Sequence, residues 1–470
     1  MEAIKKPLSK KRGDVNLTEG NIWWQIITFA IPLLLGNLFQ QLYNMVDTWV
    51  VGNFVSDAAF AAVGTVAPII NTLIGFFMGL SSGAGVVISQ AYGRSDMVEV
   101  KRTVIASTIM TLTLGVAFTV IGVSFTPIML DFINTPDEVT IEATTYLRIY
   151  FAGVMGLMIY NMGAGILRAV GDSKRPFYFL VVSALTNIVL DLLFVLVFGM
   201  GVAGVAYATI ISQIISAILV TVVLLKTSSP VKLVLSELKN EFLHIKELLP
   251  IFKKIVLVGI PAALQMAITA FSNVFIQSYI NFFGKECMAG YTAYAKIDAI
   301  LFMPMQSLAL SATTFVGQNL GAEKPHRAKK GSDIALILAI VSTLVMGIPV
   351  MVFAPQLVTF FIDVESAVSY GTMFLRFMTP FYLLCTINQV YSGSLRGSGN
   401  SRAPMIIMLT SFVLFRQAYM FIMANFISNT IIPIVAAYPA GWALSSILTI
   451  IVYLRSPFVK NSKEQRIAKA

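Results

Sequence analysis

Residues 31–54 read IPLLLGNLFQQLYNMVDTWVVGNF, and this stretch decides the fold. It lies in an apolar run long enough to cross a bilayer, yet it carries Asp47. A carboxylate near the bilayer centre costs roughly 2.5–3.5 kcal/mol on insertion scales, so a membrane helix keeps one only for a reason. Wound as a helix, Asn37, Gln40, Asn44 and Asp47 fall on one face at i, i+3, i+7 and i+10, with Leu33, Leu34, Leu35, Leu42 and Val46 on the others. A polar stripe ending in a carboxylate is the pattern of a cavity wall reached by water. The alternative is a structural hydrogen bond between helices, which intramembrane carboxylates serve less often than ion or substrate paths.

The whole chain supports a membrane reading. Of its 470 residues 57% are hydrophobic and only 12% charged, against about 25% charged in soluble domains. The net charge of +10 sits in short loops between apolar runs, which makes it a signal of orientation and not of nucleic-acid binding. Cys287 and Cys385 lie in or beside apolar segments and form neither a disulfide framework nor a metal site. The charged start, MEAIKKPLSKKRGDVNLTEG, lacks the short apolar core of a signal peptide and reads as a cytoplasmic tail.

Twelve apolar runs, at 22–53, 58–90, 103–127, 141–166, 177–198, 202–225, 254–283, 287–318, 332–354, 367–393, 404–426 and 429–454, are each long enough to span the hydrocarbon as a helix. The first, second and eighth exceed that length, so they tilt, kink or project. Basic residues mark alternate loops: Lys5 to Arg12, Arg94 to Arg102, Arg168 to Arg175, Lys226 to Lys254, Lys324 to Lys330, Arg396 and Arg402, and Arg455 to Lys469. The positive-inside rule puts these loops and both termini in the cytoplasm of a bacterial plasma membrane. The reading divides the chain into a tail (1–21), a six-helix bundle (22–226), a linker (227–253), a second bundle (254–454) and a tail (455–470). Val231, Leu235, Leu238, Phe242, Ile245 and Leu249 give the linker an amphipathic helical pattern suited to the inner membrane surface.

The two halves repeat. Ile31-Pro32 matches Ile260-Pro261 and Asn44 matches Asn273 at an offset of 229; Gln90 and Gly93 match Gln318 and Gly321 at 228. LRAVGDSKRP (167–176) aligns with LRGSGNSRAP (395–404), sharing L-R-x-x-G-x-S-x-x-P. Six helices per half preserve orientation, so the expected fold is all-α and polytopic, with twelve transmembrane helices in two six-helix bundles related by a pseudo-two-fold along the membrane normal.

With N-M-V-D-x-x-x-V-G at Asn44 to Gly52, Q-A-Y-G at Gln90, Q-N-L-G at Gln318 and that duplicated motif, the sequence resembles the multidrug and toxic compound extrusion (MATE) family over about residues 20 to 455. The resemblance implies a V-shaped pair of bundles that export cationic or amphipathic compounds against inward sodium or proton flow, with no cofactor. It also implies a coupling site formed by Asp47, Asn187, Asp191 and Thr209, with Asn161 as a neighbour. The residues support that set on their own: Asn187 and Asp191, four apart, face one way from an apolar helix, and carboxylates, amides and a hydroxyl suit sodium or a shared proton. Unlike NorM-like members, helices seven and ten hold no internal acid; by the offsets above Asp47 corresponds to Ile276 and Asp191 to Tyr419.

The second half carries Lys296 and Asp298 on helix eight and Arg416 on helix eleven. Residues two apart do not face each other, so Arg416 is the expected partner of Asp298, as a structural pair or a proton-sensitive gate. Tyr291, Tyr294, Phe302, Met303, Met305 and Gln306, with Met78, Phe76 and Phe77 in the other half, form either ordinary packing or a pocket for flat cations. The expected function is secondary active multidrug efflux by a monomer in the lipid bilayer, and the alternative is a flippase or exporter of lipid-linked precursors or metabolites. A flippase for pyrophosphates requires a cationic cavity, for which only Lys296 and Arg416 stand out. A phosphate loop and paired metal ligands are missing from the sequence, so an enzyme is not expected.

Overall fold

A computed structural model of the chain describes residues 16–428 and 430–467; the lysines and Arg12 of the first fifteen residues lie outside them. The first half folds as α1 (Ile22–Phe54), α2 (Asp57–Gly93), α3 (Met97–Phe132), α4 (Asp137–Ala169), α5 (Lys174–Leu192), which runs on as a π-turn over Leu193–Val197, and α6 (Gly201–Lys226). A short α7 (Leu235–Leu243) links it to α8 (Leu249–Asn281), α9 (Lys285–Gly321), α10 (Pro325–Val352) and α11 (Ala354–Thr359). There follow α12 (Glu365–Met378), α13 (Tyr382–Gly397), α14 (Arg402–Met408), a π-turn over Leu409–Phe415, α15 (Arg416–Ile422), a second π-turn over Met423–Ile427, α16 (Ile431–Val435), α17 (Ala437–Arg455) and α18 (Pro457–Ile467).

Local chemistry sets several boundaries. Asn21, Ser56 and Asp96 accept hydrogen bonds from the first-turn amides of α1, α2 and α3. Ser95 and Glu323 close α2 and α9 at positive φ (60° and 58°) in matching places of the repeat. Eleven helical segments among the described residues are long and apolar enough to span a membrane. The tenth predicted run arrives in two pieces, because a 3₁₀ turn at Thr379–Phe381 separates α12 from α13. Pro380 has no amide to continue the α-helical ladder there. The linker also departs from the single amphipathic helix expected over 227–253. Its α-helix ends at Leu243, and Pro250, whose missing amide is harmless in a first turn, opens α8 at Leu249. Of the apolar row, Leu235, Phe242, Ile245 and Leu249 are exposed, whereas Val231 is buried. Arg102 on α3 pins the opposite side through Glu241 (3.3 Å) and Glu247 (2.7 Å).

The helices form two six-helix bundles, each with its own core. Val50, Leu130, Phe151 and Val205 are buried together in the first, and Ile276, Phe374, Met420 and Trp442 in the second. Contacts between bundles run from mid-membrane to the face bearing the basic loops. Gly79 and Gly83 of α2 let α8 approach so closely that a Cβ at Gly79 would lie 2.4 Å from the Ala263 backbone. The paired Q-x-x-G motifs complete this seal: Gln90 Nε2 donates to the Gly397 carbonyl (2.9 Å) and Gln318 Nε2 to the Ala169 carbonyl (2.8 Å), each capping a helix of the other bundle. Gly93 and Gly321 make room, since a Cβ on either would fall 2.0 Å from the Gln318 or Gln90 carbonyl oxygen. Residues 16–20 strap across the same face: Leu17 N donates to Gln318 Oε1 (3.1 Å), and Arg327 Nη1 donates to the Gly20 carbonyl (2.9 Å).

Candidate functional site

Two buried centres and one chamber between them concentrate the polar chemistry of the membrane interior. In the first bundle, Asp47 of α1 and Asn187 and Asp191 of α5 come together, with Asp47 in side-chain contact with both. Asp191 is 0% exposed and Asp47 8%. Asp47 Oδ1, both Asp191 carboxyl oxygens and both Asn187 amide atoms are buried without a well-formed hydrogen bond. Buried polar atoms are rarely left in that state, so this oxygen set is poised to take a proton or a hard cation. Asp191 stands in the last α-helical turn before the π-turn at Leu193–Val197. Such local widening recurs at functional positions.

Thr209 joins the rim of the pair: its hydroxyl bonds the Val205 carbonyl (3.0 Å), and the Tyr146 hydroxyl reaches it while bordering both carboxyls. Asn161 does not join. It lies fifteen residues along α4 from Tyr146, about 22 Å at 1.5 Å per residue, in the wall of the central chamber. Tyr43, Tyr146 and Tyr150 are the residues that the sequence reading missed. The four-residue spacing of Tyr146 and Tyr150, whose rings stack at 6.5 Å, was the available signal. Tyr43 borders Asp47 and also lines the chamber, joining the two.

The chamber lies between the bundles, with a volume of about 570 Å³. Asn37, Gln40, Gln306 and Met78 line it as expected. Asn44 is exposed and lies outside that wall. Tyr291, Tyr294, Met303 and Met305 are also absent from it and pack into the second bundle, because α9 is enclosed on most sides and its aromatic face meets α12 and α13. Arg168 and Arg396, which the sequence reading counted among loop charges, instead line the chamber from the last turns of α4 and α13. No aspartate or glutamate occurs in the wall.

The second centre lies inside the other bundle. Asp298 accepts from Tyr294 (3.2 Å) and, at close range, from Tyr382. Arg416, 1% exposed, donates to Ser272 Oγ (3.1 Å) and Asn273 Oδ1 (3.4 Å) and sits over the Phe412 and Tyr438 rings, 4.1 and 4.9 Å from their centroids. The expected Asp298–Arg416 pair is therefore replaced. Tyr291 and Tyr438, joined at 2.6 Å, border both charges, and each charge is held by tyrosines or amides on its own side. Lys296 is exposed and takes no part.

Comparison with known proteins fits this geometry. The MatE family model matches residues 32–193 and again 261–422. The chain is 30% identical over 473 residues to a probable multidrug resistance protein, YoeA of Bacillus subtilis, covering 99% of each. A solved outward-facing multidrug resistance MATE family transporter of the MOP superfamily superposes with a TM-score of 0.89 at 23% identity, over 97% of this chain and 99% of that one. A MOP superfamily transporter from Pyrococcus furiosus, described by the reverse polarity of its binding pocket, also gives 0.89, at 24% identity over 96% and 99%.

Proposed function

The chain belongs to the MatE family, and from that premise we propose that it is an ion-coupled exporter in which Asp47 and Asp191 take up a proton or a sodium ion and drive amphipathic compounds out of the cell. It is a multi-pass membrane transporter and not an enzyme, and multidrug efflux is the activity supported by its relatives. The observation that carries the coupling reading is the pair of buried carboxyls in contact, three of whose four oxygens lack a well-formed hydrogen bond. Two like charges in contact repel strongly away from water. A proton or sodium ion relieves that repulsion, so occupancy of the pair changes which bundle packing is favoured. Cargo in the chamber, touching Tyr43, biases the same equilibrium, and the two effects are reciprocal.

The basic loops put the sealed face in the cytoplasm, so this arrangement is the outward-facing one. The working unit is the single chain, with Thr209 as a ligand or support at the carboxyl pair and Asn161, Asn37 and Gln40 on the cargo side. A second reading, export of a metabolite or lipid-linked precursor, is favoured by one observation: the chamber presents arginines where a cation exporter needs carboxylates.

The test is efflux of amphipathic dyes of both charges from proteoliposomes, driven first by a sodium gradient and then by a proton gradient. One gradient is expected to drive movement that Asp47→Asn abolishes. Gradient-driven efflux undiminished in that variant would overturn the coupling scheme.

A further inference from the structure

Arg168 and Arg396 occupy the same place in the repeated motif, and the fold turns both into one chamber. Arg396 is held from one side, Nη1 donating to Gln265 Oε1 at 2.9 Å, with Gln265 anchored in turn on the Ser401 carbonyl (3.3 Å). The Arg168 guanidinium forms no hydrogen bond or ion pair among the described residues, and its charged neighbourhood offers only the Tyr160 hydroxyl. The C-terminal ends of α4 and α13 give each guanidinium a partial counter-charge. They do not supply a carboxylate, and neither does any residue of the wall. Two half-buried guanidinium groups on one chamber wall without an acid leave donors free for a ligand that enters the chamber. The planar fork of arginine matches a carboxylate or phosphate in two parallel hydrogen bonds. Hydroxyls of Ser81, Ser89 and Thr313 offer further polar groups, and Met78, Met266 and Phe177 add apolar surface.

We infer that the cargo of this chamber is an amphipathic organic anion, its phosphate or carboxylate head held by Arg168 and Arg396 and its apolar body by the methionine and phenylalanine wall. This rests on the reading of the chamber as the cargo path and reverses the sign of the cargo expected from the sequence. It also gives the duplicated motif a task in both halves: each bundle contributes one half of an anion clamp just above the glutamine seal.

Three probes with one aromatic body test it: 1-naphthyl phosphate, 1-naphthoate and 1-naphthyltrimethylammonium, measured by equilibrium dialysis against the full chain in lipid nanodiscs. At least one anion is expected to bind about tenfold or more tighter than the ammonium compound, and the tighter anion names the head group. Arg168→Gln with Arg396→Gln is expected to erase the preference, and the double lysine variant to retain part of it. Equal or tighter binding of the ammonium probe overturns the inference, as does a preference that survives in the glutamine variant. Should that variant not fold, the comparison within the unaltered protein still decides. Dialysis needs no gradient, so the two readings fail separately. Anion binding without gradient-driven movement would sink coupled export alone; gradient-driven export of the ammonium probe without anion binding would sink the anion clamp alone.

Discussion

The first bundle buries Ser183, Asn187 and Asp191 along α5, while the second buries Ser411, Arg416 and Met420 along the corresponding helix. The first set is spaced by four and four, the second by five and four. The extra residue is absorbed by the π-turn at Leu409–Phe415, whose wider closure accommodates one residue more than an α-turn. A constant offset pairs Asp191 with Tyr419, but burial pairs it with Met420 and pairs Asn187 with Arg416. One inserted residue has thus put a guanidinium where the other half keeps the Asn187 amide. Asn273, which binds Arg416, repeats Asn44 of α1, one turn from Asp47. On these two corresponding helices the halves share a frame and bury opposite charges within it.

Substitutions at three positions sharpen or break that contrast. The largest effect is expected from Asp191→Asn, which removes one member of the carboxyl pair: gradient-driven efflux in vesicles should fall to the level of empty liposomes while the protein still folds. Full efflux would mean that the two bundles do not differ in coupling. Next is Arg416→Ala, which removes charge-assisted hydrogen bonds and two ring contacts and leaves a cavity. A loss of about 3 kcal/mol or more is expected, read as a lower thermal midpoint. Arg416→Met, which keeps most of the volume, should be milder and should retain ion-driven efflux; loss of coupling in a folded Met variant would make the second bundle a partner in energy conversion. The smallest is Gly441→Ala. A Cβ there would lie 2.9 Å from Arg416 Nε, so the guanidinium must shift, at about 1–2 kcal/mol, again measured by thermal unfolding in lipid.

Much of this was legible in the sequence because it is carried by local pattern. The Asn187–Asp191 spacing states its chemistry within little more than one turn of helix, the helix-one stripe does so over almost three turns apart from Asn44, and the paired Q-x-x-G motifs announce the repeat. What stayed hidden depends on a second element. Arg168 and Arg396 end apolar runs, and hydropathy assigns such residues to loops; only the opposing bundle turns that position into a chamber wall. Tyr291, Met303 and Met305 lie on a helix covered from several sides, so periodicity alone could not say which side faces cargo. The Asp298–Arg416 pairing failed for a similar reason, since two tyrosines from different helices border both charges. Asn161 was drawn toward the carboxyls by residue type, but distance along α4 keeps it away.

The strap at residues 16–20 has a kinetic meaning. Leu17 is 1% exposed, and its carbonyl also accepts from Asn319 Nδ2 (3.2 Å) while Lys324 Nζ holds the Thr18 carbonyl (3.0 Å). The strap precedes the first bundle but grips the second, so the basic face can open only as these bonds peel away in succession. Cutting back Leu17 is therefore expected to ease that opening while leaving the lining of the chamber unchanged.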